Sequence, residues 1–224
     1  IAFYRKRMLD EGLSVHQAAA RLQVAPSTAL RWRHRFLSLA QQAKSALLSG
    51  IAEADETFIL RSAKGQRVSG RAPRHRGGHA STRGTSDDHV PVLVARDRAG
   101  GSTDFILGRA SKREIFASLA TVLAQDAVLC TDGSSAMATA AVEMGIEHHA
   151  LNMTTGPRVR GPWHIQNVNA YHSRLKGWLR RFRGVATTYL HHYLGWFRAL
   201  DRCAPHHLPP EQLLSLSLGR FTHP

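Results

Sequence analysis

Two aspartates stand where carboxylate oxygens could bind a divalent metal ion. Asp55 lies in the strand-like segment 51–60, IAEADETFIL, and Asp132 ends the apolar run AVLCTD before Gly133. A buried strand that ends in Asp-Gly brings its last side chain to the edge of a sheet, where ligands collect. Each aspartate taken singly also fits a turn or capping role. As a pair they are candidate metal ligands.

The segment 163–182 predicts an amphipathic helix that could add a third oxygen ligand. Its apolar residues recur at steps of three and four, which places them on one core-facing side: Val168, Tyr171, Leu175, Trp178 and Phe182. Asn169, Lys176 and Arg180 fall together on another face. An amide oxygen and a row of cations could bind a metal ion and a phosphodiester backbone. A surface helix with a solvated basic face is the alternative.

The charge of the chain indicates a polyanionic partner. There are 30 Lys and Arg against 16 Asp and Glu, a formal net charge of +14, which favours nucleic acid or an anionic membrane surface. No apolar segment approaches the ~20 residues of a membrane-spanning helix. Two cysteines argue against a disulfide framework and for the cytoplasm. The start at Ile1 is typical of a fragment, and no set of four His and Cys has zinc-finger spacing.

The N-terminal part predicts a helix-turn-helix. Ser14 is placed to cap a first helix, residues 24–26 form a turn, and Ser27 is placed to cap a second helix. The second helix would expose its polar residues as a recognition helix does in the major groove. Those residues are Thr28, Arg31 and Arg35. A plain helical hairpin is the alternative.

From residue 51 the pattern becomes strands separated by helices, which predicts an α/β fold. The expected elements, after the strand with Asp55, are a hairpin of 90–95 and 102–108, a helix capped by Ser111 that runs through Leu123, the Asp132 strand, a helix 134–144, a short strand near 147–151, a helix from Trp163 and a last helix from Thr187. We expect a DNA-binding domain at 1–45, a catalytic domain at 46–204 and a tail at 205–224.

A basic segment without acids separates the first strand from the hairpin. Between residues 61 and 83 it contains seven cations: Arg61, Lys64, Arg67, Arg71, Arg74, Arg76 and Arg83. Its composition predicts a mobile loop that contacts backbone phosphates. We expect it to form one DNA-binding track with Lys176, Arg180, Arg181 and Arg183. A solvated insertion without function is the alternative.

The order of these elements resembles the ribonuclease H-like core of DDE-type transposases, a mixed sheet flanked by helices. Three motifs carry a closer resemblance to a group of bacterial insertion-sequence transposases: ADETF at 54–58, TDG at 131–133 and HIQNVNAYHSRLK at 164–176. The resemblance implies that Asp55 and Asp132 are the first two catalytic acids, that Asn169 takes the third position, and that Lys176 is the basic residue seven positions later. Members of the group accept Asn or His at that third position.

Two-metal phosphoryl transfer suits these residue types. The resemblance implies two Mg²⁺ or Mn²⁺ ions, with Asp55 bridging both, Asp132 binding one and Asn169 binding the other. Because Asn adds no charge, Glu53, Glu56, water or a phosphate oxygen must complete the coordination. We expect Glu56 to point away, since adjacent strand residues face opposite sides of a sheet.

The sequence therefore predicts a DNA transposase that cuts element ends and joins the 3′-hydroxyl to target DNA. It is expected to act as a homo-oligomer on DNA, in the bacterial cytoplasm at the nucleoid. A DNA-binding regulator or transposase remnant that does not cleave is the first alternative. A structure-selective nuclease on the same fold is the second, and it would not need the helix-turn-helix.

Overall fold

The computed structural model describes residues 13–42, 44, 47–65, 80, 86–151, 156 and 159–203. The chain divides into two compact units, one of residues 1–43 with 188–224 and the other of residues 44–187. The helices are α1 (Val15–Leu22), α2 (Pro26–Gln42), α3 (Lys112–Leu119), α4 (Ser135–Met144), α5 (Gln166–Arg180) and α6 (Leu190–Cys203). The strands are β1 (Ile51–Leu60), β2 (His89–Asp97), β3 (Ser102–Ile106), β4 (Val128–Thr131), β5 (Glu147–Ala150), β6 (Val159–Arg160) and β7 (Trp163–His164).

The first unit contains α1, α2 and α6. Ser14 caps α1 in a reciprocal box with Gln17: the Ser14 hydroxyl accepts from the Gln17 amide at 3.2 Å, and the Gln17 side chain accepts from the Ser14 amide at 3.0 Å. Helix α2 begins at Pro26, not after a Ser27 cap as predicted. Proline suits a first helical position because its missing N–H has no partner there anyway. The helix-turn-helix order of α1 and α2 is as predicted.

Helix α6 packs against α2 in the same unit. Its Arg198 is buried and donates to the Gln41 carbonyl oxygen at 2.9 Å. The predicted catalytic domain, 46–204, includes the residues of α6, and the three predicted domain boundaries stay predictions.

The second unit is built on a five-stranded sheet in the order β3-β2-β1-β4-β5. Strands β1, β2 and β3 are antiparallel neighbours, whereas β4 runs parallel to both β1 and β5. β2 reads as an almost continuous apolar run because most of its residues are buried. The predicted fold class is confirmed as a mixed α/β sheet flanked by helices, with a helix-turn-helix before it.

The two faces of β1 serve different purposes. Ala52 and Ala54 are fully buried and belong to the apolar core that α3 and α4 cover with Ile115, Leu119 and Met137. Glu53 and Asp55 lie on the opposite face by strand alternation, toward α5, which packs on β1 and β2. The acidic residues of β1 are therefore presented to α5.

Two predicted helix limits in the second unit were also wrong. The helix expected from Trp163 begins at Gln166, because Trp163 and His164 pair with β6 across the turn at 161–162. Helix α3 ends at Leu119 rather than Leu123, because the backbone that follows bonds elsewhere. The Val122 carbonyl accepts from the Leu48 amide at 2.6 Å, and the Leu48 carbonyl accepts from the Ala124 amide at 2.9 Å. None of the helices in the described part of the chain is long and apolar enough to cross a membrane.

Candidate active site

Asp132 leaves the sheet beside Asp55 because β4 is shorter than β1. The parallel pairing of the two strands covers only Ile51 to Glu53 on β1, so the part of β1 that carries Asp55 has no β4 neighbour. The Asp132 carboxylate is oriented locally, since its Oδ1 accepts from the Ser134 amide at 2.9 Å. That bond also joins it to the N-cap of α4.

Gly133 makes the turn after Asp132 possible. Its φ is +83°, and a Cβ built at this position would lie 3.1 Å from the Ala150 Cβ. A side chain would therefore meet both an unfavourable backbone conformation and a close neighbour. The Gly133 amide also donates to the Thr131 hydroxyl at 3.1 Å, which holds the turn against the end of β4.

Three carboxylates meet at this edge of the sheet. Oxygen atoms of Asp55, Glu56 and Asp132 all lie within 4.8 Å of one another, and all three residues are half-buried. Within the described ranges this is the one group of three or more His, Cys, Asp or Glu that could hold a metal ion. Carboxylate oxygens at such spacing suit Mg²⁺ or Mn²⁺.

The expectation that Glu56 points away was wrong. Strand alternation does start its side chain on the face opposite Asp55. Beyond Glu53, however, no β4 backbone lies between the two faces of β1. The longer glutamate side chain can therefore reach around the open edge of the strand to the two aspartates.

Without a cation, the negative charges of the three carboxylates repel one another. Burial, followed by the negative charges of Asp55 and then Asp132, raises the pKa of Glu56 from 4.5 to about 7. A divalent cation among the three carboxylates would remove that repulsion. The donor set and its mutual repulsion both fit a metal ion here.

Helix α5 approaches the cluster through His172. Its Nδ1 lies 3.5 Å from the Asp55 Oδ2, and the residue is 7% exposed. Asn169 is half-buried one turn earlier on α5, so the helix period puts it on the same side as His172. Among the described residues, the Asn169 amide forms no hydrogen bond to either aspartate. His172 flanks the predicted polar face of α5, but it was not predicted as a site residue, because a histidine beside an apolar stripe more often belongs to the core.

The exposed cations predicted for DNA form one local group around the end of α5. Lys176, Arg180, Arg181 and Arg183 are all exposed. Lys64, at the start of the basic segment, donates to the Phe182 carbonyl at 3.2 Å and to the Gly184 carbonyl at 3.1 Å. The basic segment therefore begins beside the end of α5. Arg67, Arg71, Arg74, Arg76 and Arg83 lie outside the described residues.

The predicted base-reading residues lie on α2 in the other unit. Arg31 and Arg35 are exposed and one helical turn apart, and Thr28 is half-buried on the preceding turn. All three lie near one face of the helix by its period. This arrangement is compatible with a recognition helix.

Comparison with known proteins identifies both parts of the chain. The ISXO2-like transposase domain matches residues 47–198, and a homeodomain-like domain matches residues 6–42. An uncharacterized protein in transposable element ISH50 of Halobacterium salinarum is 29% identical over 187 residues, which cover 83% of this chain and 63% of that relative.

Structural similarity to solved proteins is weak. A chain of a simian T-cell lymphotropic virus intasome has a TM-score of 0.39 at 11% identity, with 99% of this chain and 76% of that chain covered. A chain of a pre-cleavage Mos1 transpososome has a TM-score of 0.30 at 13% identity, with 97% and 78% covered.

Proposed function

Because the chain belongs to the ISXO2-like transposase family, we propose that it is the transposase of an insertion sequence. It cuts DNA at the element ends and joins the freed 3′-hydroxyl to target DNA. The observation that carries this proposal is the group of three carboxylates, Asp55, Glu56 and Asp132, within 4.8 Å of one another. A protein that only binds DNA has no use for converging carboxylates, which repel phosphate.

The carboxylates of Asp55, Glu56 and Asp132 would hold Mg²⁺ or Mn²⁺, with the Asn169 amide oxygen as a neutral fourth donor. Two bound ions would supply stabilisation of the charge that develops on the attacking and leaving oxygens. Glu56 supplies the negative charge that Asn169 lacks. This assignment explains how the metal site has three carboxylates although Asn169 replaces the third catalytic acid.

The cations have separate tasks in this proposal. Lys176 lies seven residues after Asn169, two turns along α5, and orients the phosphate next to the scissile bond. Lys64, Arg180, Arg181 and Arg183 bind the DNA backbone beyond it, together with the cations of the basic segment. Arg31 and Arg35 read the element ends, and a homo-oligomer on DNA brings two ends together.

Strand cleavage tests the catalytic assignment. The substrate is duplex DNA carrying the terminal repeats that flank this element, with Mg²⁺ or Mn²⁺. Asp55→Ala and Asp132→Ala are expected to abolish cleavage while DNA affinity stays within about twofold, because neither carboxylate attracts phosphate. Asp126→Ala, at an exposed aspartate of the same unit, is the control. Cleavage by either site variant at the wild-type rate would refute the proposal.

DNA affinity at several salt concentrations tests the division of the cations. Replacing Arg180 or Arg181 should weaken binding to cognate and random DNA alike. The slope of log affinity against log salt concentration should become shallower by roughly 0.9 per lost phosphate contact. Replacing Arg31 or Arg35 should cost about 1–3 kcal/mol on the cognate ends alone. If all four variants lose the same affinity for cognate and for random DNA, α2 does not recognise a specific DNA sequence.

A further inference from the structure

Glu53 is a buried carboxylate that the catalytic assignment does not use. It lies two residues before Asp55 on the same face of β1 and is 1% exposed. Its Oε2 accepts from the backbone amides of Asn167 at 2.8 Å and Val168 at 3.0 Å. Its Oε1 accepts from the Asn167 side-chain amide at 2.9 Å and lies 3.1 Å from an Arg98 guanidinium nitrogen.

These bonds replace the N-cap that α5 lacks. The residue at its N-cap position is Ile165, which makes no side-chain capping bond. The first amides of a helix have no intrahelical partner. In α5 the Gln166 amide lies 3.3 Å from the His164 Nδ1, and the next two amides donate to Glu53. A carboxylate at this end also interacts favourably with the helix dipole.

The Glu53 carboxylate also has partners on two segments outside α5, Arg98 and His164. Arg98, in the turn between β2 and β3, pairs with the carboxylate and also donates to the Pro162 carbonyl at 3.1 Å. The second guanidinium nitrogen of Arg98 lies 2.6 Å from the His164 Nε2, and the His164 Nδ1 lies 3.3 Å from the Glu53 Oε1. A buried carboxylate requires such partners.

Glu53 and Asp55 hold α5 at two points. A strand rises about 3.3 Å per residue, so the two carboxylates are separated by about 6.6 Å along β1. A helix rises 1.5 Å per residue, so Val168 and His172 are about 6 Å apart along α5. The spacings match, which lets Glu53 hold Val168 while Asp55 contacts His172. Asn169 lies between the two points.

We propose that Glu53 is a positioning residue that sets the height and rotation of α5 on β1 and thereby presents Asn169 to the metal site. This inference rests on the proposed function. It assigns no contact between Glu53 and the metal ion or the DNA. Its effect on catalysis passes through the helix.

Two readouts test the proposal in the purified full chain. Glu53→Gln keeps the side-chain shape and loses the charge that holds the two amides. Hydrogen exchange at the Asn167 and Val168 amides, measured without metal, is expected to accelerate about tenfold or more, while amides in the middle of α5 change little. A rate that does not change at these two amides would overturn the anchoring.

The second readout is Mn²⁺ affinity in a double-mutant cycle. Glu53→Gln and Asn169→Ala should each weaken Mn²⁺ binding several-fold. The double variant should bind Mn²⁺ almost as tightly as Asn169→Ala alone. Once the Asn169 amide oxygen is gone, the position of α5 no longer affects a ligand of the metal ion. Full additivity, or unchanged Mn²⁺ affinity in Glu53→Gln, would overturn the proposal.

Glu114→Gln is the matched control. Glu114 also accepts from two backbone amides, those of Gly108 at 2.6 Å and Arg109 at 3.0 Å, so the substitution has a similar local effect. It should leave Mn²⁺ affinity unchanged. If Glu53→Gln does not fold, Asn167→Ala serves instead, because it removes one hydrogen bond to Glu53 at an exposed position. Asn167→Ala should weaken Mn²⁺ binding about threefold. An unchanged Mn²⁺ affinity would overturn the proposal.

The failure of the proposed function can be recognised separately. If wild-type Mn²⁺ binding does not depend on Asp55 and Asp132, the metal site itself is refuted. The exchange rates of the two α5 amides are measured without metal, so they still decide whether Glu53 anchors the helix.

Discussion

Replacing Glu56 with glutamine should stabilise the metal-free protein and should do so mainly at high pH. The pKa of Glu56 is raised from 4.5 to about 7 by burial and by the charges of Asp55 and Asp132. The folded protein therefore keeps a proton on Glu56 that the unfolded chain releases above pH 4.5. Stability is lost as pH rises from 4.5 through 7, and the loss is complete above 7.

The size of the effect follows from the two pKa values. A difference of roughly 2.5 pH units corresponds to about 3 kcal/mol at pH 8 and to about 1 kcal/mol at pH 5. Glutamine resembles the protonated carboxyl and does not titrate. Glu56→Gln should thus raise the free energy of unfolding by about 3 kcal/mol at pH 8, and by about 2 kcal/mol less at pH 5.

Urea unfolding followed by circular dichroism at both pH values, in EDTA, measures this difference. Mg²⁺ should reduce the gain, because the ion stabilises the ionised wild-type cluster by binding to it. Glu143→Gln is the control, since Glu143 is a partly exposed glutamate that pairs with Lys112 at 3.3 Å; its effect should stay below about 0.5 kcal/mol. An equal gain from Glu56→Gln at pH 5 and pH 8 would refute the reasoning.

Two further predictions concern a turn and a histidine pair. Gly133→Ala should destabilise the protein by about 1–3 kcal/mol in urea unfolding, because its Cβ would lie 3.1 Å from the Ala150 Cβ. Gly145→Ala is the control, since φ is +68° there but nothing lies within 4 Å of the added Cβ. Gly145→Ala should destabilise the protein less, and the reverse order would contradict the steric argument. Burial, together with neighbouring basic groups, lowers the pKa of His34 and of His192 to about 4. Their contribution to the free energy of unfolding is present above pH 6.5 and is lost as pH falls toward 4. The loss is on the order of 1 kcal/mol for each histidine, because solvent screens these partly exposed groups. A free energy of unfolding in urea that stays constant between pH 7 and 4 in the wild type would contradict this prediction.

The residue pattern predicted those parts of the site that depend on local structure. Asp55 lies within β1 and Asp132 directly follows β4, as the strand-like runs around them predicted. Ser111 caps α3 as its position predicted, whereas Ser134, expected as the first residue of the next helix, is the N-cap of α4. The hairpin of β2 and β3 followed from the turn residues between two apolar runs.

The parts that depend on distant contacts were not predictable in this way. Glu56 joins the aspartates because β4 ends early along β1, and strand alternation alone contains no information about a neighbouring strand's length. Glu53 caps a helix more than a hundred residues later, while a capping pattern is normally sought next to the helix. Trp163 was expected to begin a helix but is paired in β7.

The placement of Glu53 has a consequence for the order of folding. The β2–β3 hairpin closes over a short turn and β1 pairs with β2 across residues 61–88, whereas the bonds from Glu53 to Asn167 and Val168 span 114 and 115 residues. Long-range closure is entropically costly and therefore slow. The strand that carries Asp55 can form early, but α5 can dock only after two segments more than a hundred residues apart have met. Metal binding that requires Asn169 is therefore expected to appear late in refolding, after the secondary structure of the sheet.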